Sequence, residues 1–320
     1  MCGLVGFLGG EIVKNGEIAD SALVSMAAQI SSRGPDSSGS WIDSGNSVGM
    51  SHRRLSILEL SSLGHQPMSS KSARYTIAFN GEIYNHLDLR CKLEDDLGAV
   101  SWLGTSDTET LLACFDHWGV NETLNELVGM FAFSLWDNKG KILTLARDRI
   151  GEKPLYYGWQ GTGNNRAFLF GSDLKAFKAY PNFNALVNRD SLCLFLRYNC
   201  IPSPHCIYEG FYKLDPGCYL NISIDQMSPK ITRYWNAESL VQKGVDNPLN
   251  GDFTEISENL ESKIIKAVNR QTISDVPLGT FLSGGIDSSV ITAILQTQSS
   301  KPVKTFTIGF NEDEFNEANN

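Results

Sequence analysis

The sequence contains no apolar run approaching the ~20 residues that a membrane-spanning helix requires; its strongest apolar stretches are broken by Gly, Ser or charge. A helical membrane protein is excluded, and a water-soluble chain is expected. Met1 to Leu8 are mostly apolar, yet no basic leader or cleavage pattern accompanies them, so no signal peptide is expected. Cysteines number seven (Cys2, Cys91, Cys114, Cys193, Cys200, Cys206 and Cys218), an odd count with no C-x-x-C pair. Neither a disulfide framework nor a zinc site is signalled, and a reducing cytoplasm fits. Positive charge is also scarce: 27 Lys plus Arg face 36 Asp plus Glu, for a net charge of −9, and no basic cluster stands out. Nucleic acid is therefore not an expected partner. The histidines, His52, His65, His86, His117 and His205, stand at no ligand spacing, so capping or surface roles are expected of them rather than metal binding. What is present is the balance of a globular protein, 320 residues with 42% hydrophobic and 20% charged, enough for about two domains.

The first half reads as short β-branched or aromatic runs bounded by Gly, Asn or Asp. Strands are expected at Gly3 to Leu8, Ser38 to Ile42, Tyr75 to Asn80, Phe131 to Trp136, Lys141 to Ala146, Leu155 to Trp159 and Ala167 to Gly171. Helical spacing links Ile18, Ala22, Met26 and Ile30, and again Thr108, Leu111, Leu112 and Phe115 behind the cap candidates Thr105 and Ser106. Gly161 to Asn165 reads as a hairpin turn. Pro202, Pro204, Pro216, Pro229 and Pro248 then punctuate the chain. A first domain over 1–215, a connecting region over 216–250 and a second domain from 251 to 320 are expected. In the second, a helix from Phe253 to Gln271, a strand from Pro277 to Leu282, a helix from Ile286 to Gln296 and a strand from Val303 to Ile308 follow in the order that opens a parallel, doubly wound sheet.

Several residues are chemically suggestive. Removal of Met1 would leave Cys2 with both a thiol and a free α-amine, whose pKa of about 7.7–8 suits proton transfer near neutrality. Nucleophile and base would then share one residue. Taken alone, Cys2 reads as a small apolar residue opening a strand, and Asn80-Gly81 as a turn. Ser283-Gly284-Gly285-Ile286-Asp287-Ser288-Ser289 lies between an expected strand and helix. Its glycines free backbone N–H groups, the helix N-terminus adds positive potential, and its hydroxyls donate without charge, all of which suit phosphate. No Lys follows the glycines, so it is not a Walker loop.

Cys2-Gly3-Leu4-Val5-Gly6, Arg33-Gly34-Pro35-Asp36, His52-Arg53-Arg54-Leu55-Ser56-Ile57, Asn80-Gly81-Glu82-Ile83-Tyr84-Asn85 and Thr105-Ser106-Asp107-Thr108-Glu109 occur in the order seen in class II glutamine amidotransferases. The first half thus resembles an N-terminal-nucleophile glutaminase domain. Gly129 to Phe133, Arg147 to Tyr157 and Ser172 to Ala176 are similar to the glutamine-hydrolysing asparagine synthetases in particular. The resemblance implies an α/β fold: stacked antiparallel sheets with helices, then the beginning of a doubly wound ATP-pyrophosphatase domain. It implies Cys2 as nucleophile, with the Asn80 side chain and Gly81 N–H as oxyanion donors. Arg54 would take the glutamine carboxylate, Leu55, Ser56, Ile57 and Leu58 would line the pocket, and Asp107 with Glu82 would take the ammonium. Arg53 and Asp173 depart from the usual Glu, and neither is assigned chemistry. Ser283, Gly284, Gly285 and Ser288 would hold pyrophosphate, Leu282 and Ile308 would contact the nucleotide, and Asp287 would help hold Mg²⁺.

The implied reaction passes ammonia from glutamine to an aspartate activated by ATP, forming asparagine, AMP and pyrophosphate. The expected partners are glutamine, aspartate and ATP, with a homodimer as the expected assembly. Another carboxylate acceptor would suit the same motifs. Amidotransferases of amino-sugar or purine synthesis share only the glutaminase half, and Ser283 to Ser289 argues against them. Only two strands of the parallel sheet are supplied before Asn320, so the synthetase half is expected to be incomplete, leaving glutamine hydrolysis or glutamine binding as the competing reading.

Overall fold

The computed structural model describes residues 2–226, 228–312 and 316 and divides the chain into two compact units, Met1–Ser239 and Leu240–Asn320. In chain order the first unit runs β1 (Gly3–Gly9), α1 (Gly16–Ala28), β2 (Ser37–Asp43), β3 (Val48–Arg54), β4 (Met68–Ser69), β5 (Tyr75–Ile83), α2 (His86–Leu97), α3 (Asp107–Trp118) and α4 (Val120–Glu126). It continues with β6 (Gly129–Asp137), β7 (Ile142–Arg147), β8 (Tyr156–Gln160), β9 (Ala167–Gly171), α5 (Leu174–Phe177), α6 (Arg189–Tyr198), β10 (Phe211–Lys213), β11 (Cys218–Ile222) and β12 (Lys230–Arg233). Helix α7 (Ala237–Asp246) crosses the division.

Among the described residues the first unit holds two six-stranded sheets, ordered β10-β8-β9-β1-β3-β2 and β12-β11-β7-β6-β5-β4. All their pairings are antiparallel. The alternation of side chains along each strand sorts them into layers. On β1, Leu4 and Leu8 join the cluster between the sheets, with Val48 and Met50 of β3, Ala78 of β5, Ala132 of β6 and Phe168 and Phe170 of β9. Val5 and Phe7 face the other way, onto Ala19, Leu23 and Met26 of α1. Likewise Tyr75, Ile77 and Phe79 of β5 meet Leu111, Leu112 and Phe115 of α3. The result is a sandwich of helices, two sheets and helices.

The expected strands and the two expected helices are present, with ends shifted by at most three residues. Helix α3 starts behind Ser106, whose side chain caps Thr108 N at 3.1 Å. The segment expected to connect the halves, 216–250, behaves differently. Strands β11 and β12 fall within it, and β11 pairs with β7 from Tyr219↔Ala146 to Ile222↔Leu143, so it completes the second sheet. Pro216 and Pro229 flank these strands without interrupting a ladder, which is how prolines near a sheet edge are accommodated.

In the second unit α8 (Phe253–Arg270), β13 (Thr280–Phe281), α9 (Ile286–Gln298) and β14 (Thr305–Phe306) follow in the expected order. The parallel pair is only Thr280↔Thr305 and Phe281↔Phe306, shorter than expected. Phe253, Phe281, Ile286 and Phe306 of this unit are exposed.

Phe168 anchors the layer between the sheets, with its ring edge-on to Trp159 at 5.1 Å and tilted against Tyr157 at 5.9 Å. Phe168→Ala is expected to cost about 3–5 kcal/mol of stability, measured by urea unfolding of the purified chain. A change below 1 kcal/mol would show that this layer does not carry the fold.

Candidate active site

At one end of the layer between the sheets the alternation continues but the residues turn polar. Cys2 follows the parity of Leu4, His52 and Arg54 that of Met50, and Asn80 and Glu82 that of Ala78. Cys2, Arg54, Leu55, Ile57, Leu58, Asn80, Gly81, Glu82 and Asp107 line one cavity of about 180 Å³. Ser56 does not line it; its N–H is held outside by Asp36 Oδ2 at 2.7 Å.

Strand β4 pairs with β5 only at Met68↔Ile77 and Ser69↔Thr76. Beyond that point one edge of β5 is open, and its backbone groups are met singly. The Phe79 N–H donates to Gln66 Oε1 at 2.7 Å, and the Phe79 carbonyl accepts from His52 Nε2 at 2.9 Å. The Ile83 N–H donates to Asp107 Oδ2 at 2.9 Å. Even-numbered residues face β6, as the bond from Tyr84 N to Val128 O shows. Alternation therefore turns the Gly81 N–H toward the open edge, between two groups already satisfied. A side chain at Gly81 would strike the backbone of Met130 and Phe131, so Gly is required for this close pairing.

The Cys2 thiol accepts from Leu55 N at 3.3 Å and lies 3.4 Å from Leu55 O. Burial pushes its pKa up, against the hydrogen bond from Leu55 and the nearby Arg54 charge, which lower it. Arg33 Nε donates to the Cys2 carbonyl at 3.1 Å and fixes the backbone of that residue. Arg54 is buried, and donates from Nη1 to Ser61 O at 3.1 Å and from Nη2 to Leu58 O at 3.1 Å and to Glu59 O. Its guanidinium thus folds the loop after β3 around itself while lining the cavity. Burial raises the pKa of Asp107, and it raises that of Glu82 too, with the Asp107 charge adding to it. A cation entering between them would relieve both.

Sequence reasoning missed four residues here. Lys153 is buried and lines the cavity; burial lowers its pKa, and the Glu82 and Glu152 charges oppose this. Its position comes from Asp148, whose Oδ1 accepts from the N–H groups of Ile150, Gly151 and Glu152 at 3.2, 2.7 and 2.9 Å. Asp148 Oδ2 accepts from Lys153 at 3.0 Å and Phe131 at 3.2 Å. Arg147 completes the turn by donating to the carbonyls of Lys153 and Gly151, each at 2.7 Å. The motif Arg147 to Tyr157 was visible, but nothing in it told the pocket residue from the scaffold. His52, held neutral with its pKa down to about 3 by burial, is the second, and Gln66 the third. Ser172, just after β9, is the fourth.

In the second unit the loop between β13 and α9 is half-buried at Leu282 and Ser283 and exposed at Gly284 and Gly285, with Gly284 at φ 78°, a conformation that suits glycine. Ser283 Oγ and Ser288 Oγ lie 3.1 Å apart, and Ser288 Oγ donates to Gly285 O at 3.1 Å. Among the described residues no side chain caps the first turn of α9, whose N–H groups suit an anion. Asp287 is exposed in that turn, and Leu282 and Ile308 lie on the chain just beyond β13 and β14. Among the described residues no three His, Cys, Asp or Glu side chains converge on a metal site, and no helix is long and apolar enough to cross a membrane.

The chain belongs to the glutamine amidotransferase domain family, which it matches over residues 1–235; residues 259–320 match the asparagine synthase family. Among curated relatives, "Asparagine synthetase [glutamine-hydrolyzing] 3" of Bacillus subtilis (strain 168) is 36% identical over 98% of this chain and 49% of its own length. A putative asparagine synthetase of Methanocaldococcus jannaschii is 34% identical over 97% of this chain and 60% of its own length. The chain thus spans about half the length of the curated relatives it matches. Among solved structures, the glutamine phosphoribosylpyrophosphate amidotransferase of B. subtilis shares the fold, with a TM-score of 0.53 at 18% identity over 73% of this chain and 49% of that one.

Asp148 is fully buried and satisfies five N–H groups. Asp148→Ala is expected to cost on the order of 3 kcal/mol, because buried donors are left unpaired, with the loss read as a lowered urea midpoint. A midpoint equal to that of the parent chain would mean the turn is held by other contacts.

Proposed function

We propose that this chain hydrolyses glutamine at Cys2. The observation that carries the reading is that Cys2, Asn80 and Gly81 on the open edge of β5, Arg54 and Asp107 all line one cavity. Once Met1 is removed, the α-amine of Cys2 takes the thiol proton as sulfur attacks the amide carbon of glutamine. The resulting oxyanion receives hydrogen bonds from the Gly81 N–H and the Asn80 amide. The protonated amine returns its proton to nitrogen, ammonia leaves, and water releases glutamate from the thioester. Burial keeps the resting thiol uncharged, so the amine rather than bulk solvent sets when the thiolate forms.

Arg54 and the Asp107–Glu82 pair select the zwitterion, the guanidinium facing the α-carboxylate and the carboxylates the α-ammonium. Leu55, Ile57 and Leu58 close the wall between them. For the whole protein, the names of the relatives support transfer of the ammonia to an ATP-activated aspartate, giving asparagine, AMP and pyrophosphate. The residues from Ser283 to Ser289 would hold the pyrophosphate of ATP at the N-terminus of α9. Asp287 would lend one carboxylate to a Mg²⁺ carried chiefly by phosphate oxygens. Free thiols at all seven cysteines support a reducing, cytoplasmic setting.

Cys2→Ala should release no glutamate from glutamine yet still bind it, seen by calorimetry with glutamine; hydrolysis at the parent rate would end the assignment. Arg54→Ala should raise KM for glutamine by about 10- to 100-fold, since an unpaired buried charge partner costs roughly 2–3 kcal/mol. An unaltered KM would place the carboxylate elsewhere.

A further inference from the structure

We propose that Ser172 is the positioning residue that sets the amide of Asn80 with its nitrogen toward the substrate. The proposal rests on the glutaminase reading above and adds what makes Asn80 a donor there rather than an acceptor. Asn80 is 1% exposed, and its amide meets Ser172 Oγ at 3.4 Å. With Nδ2 turned to Ser172, Oδ1 is buried without a hydrogen-bond partner. Ser172 Oγ already accepts from Leu4 N at 3.1 Å, and among the described residues no acceptor is seen for its own hydroxyl hydrogen. Two defects therefore coincide: a hydroxyl that donates to nothing and an amide oxygen that receives nothing.

Half a turn of the amide about its Cβ–Cγ bond removes both. Ser172 then donates to Asn80 Oδ1, and Nδ2 takes the place the oxygen held. Asn80 lines the cavity and Ser172 does not, and in this proposal the buried end of the amide turned from Ser172 is the one that a bound substrate meets. A carbonyl oxygen there would repel the developing oxyanion, whereas an N–H would bind it. Because Leu4 N–H occupies one lone pair of Ser172 Oγ and Ser172 N–H donates to Leu4 O at 2.9 Å, the hydroxyl is locked to β1, two residues from Cys2. Its remaining hydrogen bond crosses from one sheet to the other. The serine thus ties the nucleophile's strand to the oxyanion donor's strand and dictates the amide's orientation.

The test uses glutamine hydrolysis by the full chain with the rate of Cys2 alkylation by iodoacetamide as a separate report on the nucleophile. Ser172→Ala should lower kcat by about 10- to 100-fold, short of the roughly 10²–10³ that loss of an oxyanion donor costs, with KM within about twofold of the parent and alkylation unchanged. Ser172→Thr, which keeps the hydroxyl, should restore most of kcat. In an Asn80→Ala background Ser172→Ala should have no further effect. Should Ser172→Ala not give folded protein, Ser172→Cys, close in size but a weak donor, carries the same readouts. A parent-like kcat in Ser172→Ala, a loss of kcat with equal loss of alkylation, or full additivity with Asn80→Ala would overturn the proposal. An Asn80→Ala chain with undiminished kcat would overturn the oxyanion reading itself, a result distinct from any of these.

Discussion

Strand β5 is paired along the whole of its β6 edge but along only two residues of the other. Each backbone group left over on that edge must find a partner or stay exposed to the cavity, since a buried unpaired N–H costs about 1–3 kcal/mol. Gln66 and His52 satisfy Phe79, and Asp107 satisfies Ile83. What remains between them is the Gly81 N–H. The N–H left at Gly81, which the proposed reaction uses as an oxyanion donor, is thus a by-product of where β4 stops, and the residues Gln66 and Asp107 are tied to the same edge.

The second constraint is the alternation that sorts each strand's side chains. Leu4, Met50 and Ala78 fill the space between the sheets, and the same parity delivers Cys2, Arg54 and Asn80 to its open end. Strands β3 and β5 therefore carry Arg54 and Asn80 themselves, and Cys2 stands directly before β1. The loop after β3 adds the rest of the lining, and Arg54 anchors it by donating to three of its carbonyls. One guanidinium both lines the cavity and orders the loop.

Much of this was legible in the sequence because short, β-rich runs bounded by turn residues announce strands, and Ser106 announces the helix that presents Asp107. Strand β3 was not, because Val48 to Arg54 alternates small, polar and basic residues whose burial depends on the partner sheet. Helix α2 was hidden by a polar composition, with only His86, Leu89 and Leu93 buried. Strands β11 and β12 lay in a proline-marked stretch and declare themselves only through pairing with β7. Lys153 and Ser172 were quoted in motifs without a role, since what they touch follows only from distances across the sheets. In the second unit the order of elements was readable, but a two-residue parallel pair shows little of a sheet that side-chain pattern alone extends to six residues.

Joint action of Cys2 and the edge of β5 on one carbonyl is what the proposed hydrolysis requires. It is tested most directly by a crystal structure of the chain whose Cys2 has been covalently captured by an electrophilic glutamine analogue bearing a ketone in place of the amide. The account predicts the captured oxygen at about 2.7–3.1 Å from both the Gly81 nitrogen and the Asn80 Nδ2, with the analogue's α-carboxylate at Arg54 and its ammonium at Asp107. An oxygen turned away from Gly81, or an analogue attached at a cysteine other than Cys2, would contradict it.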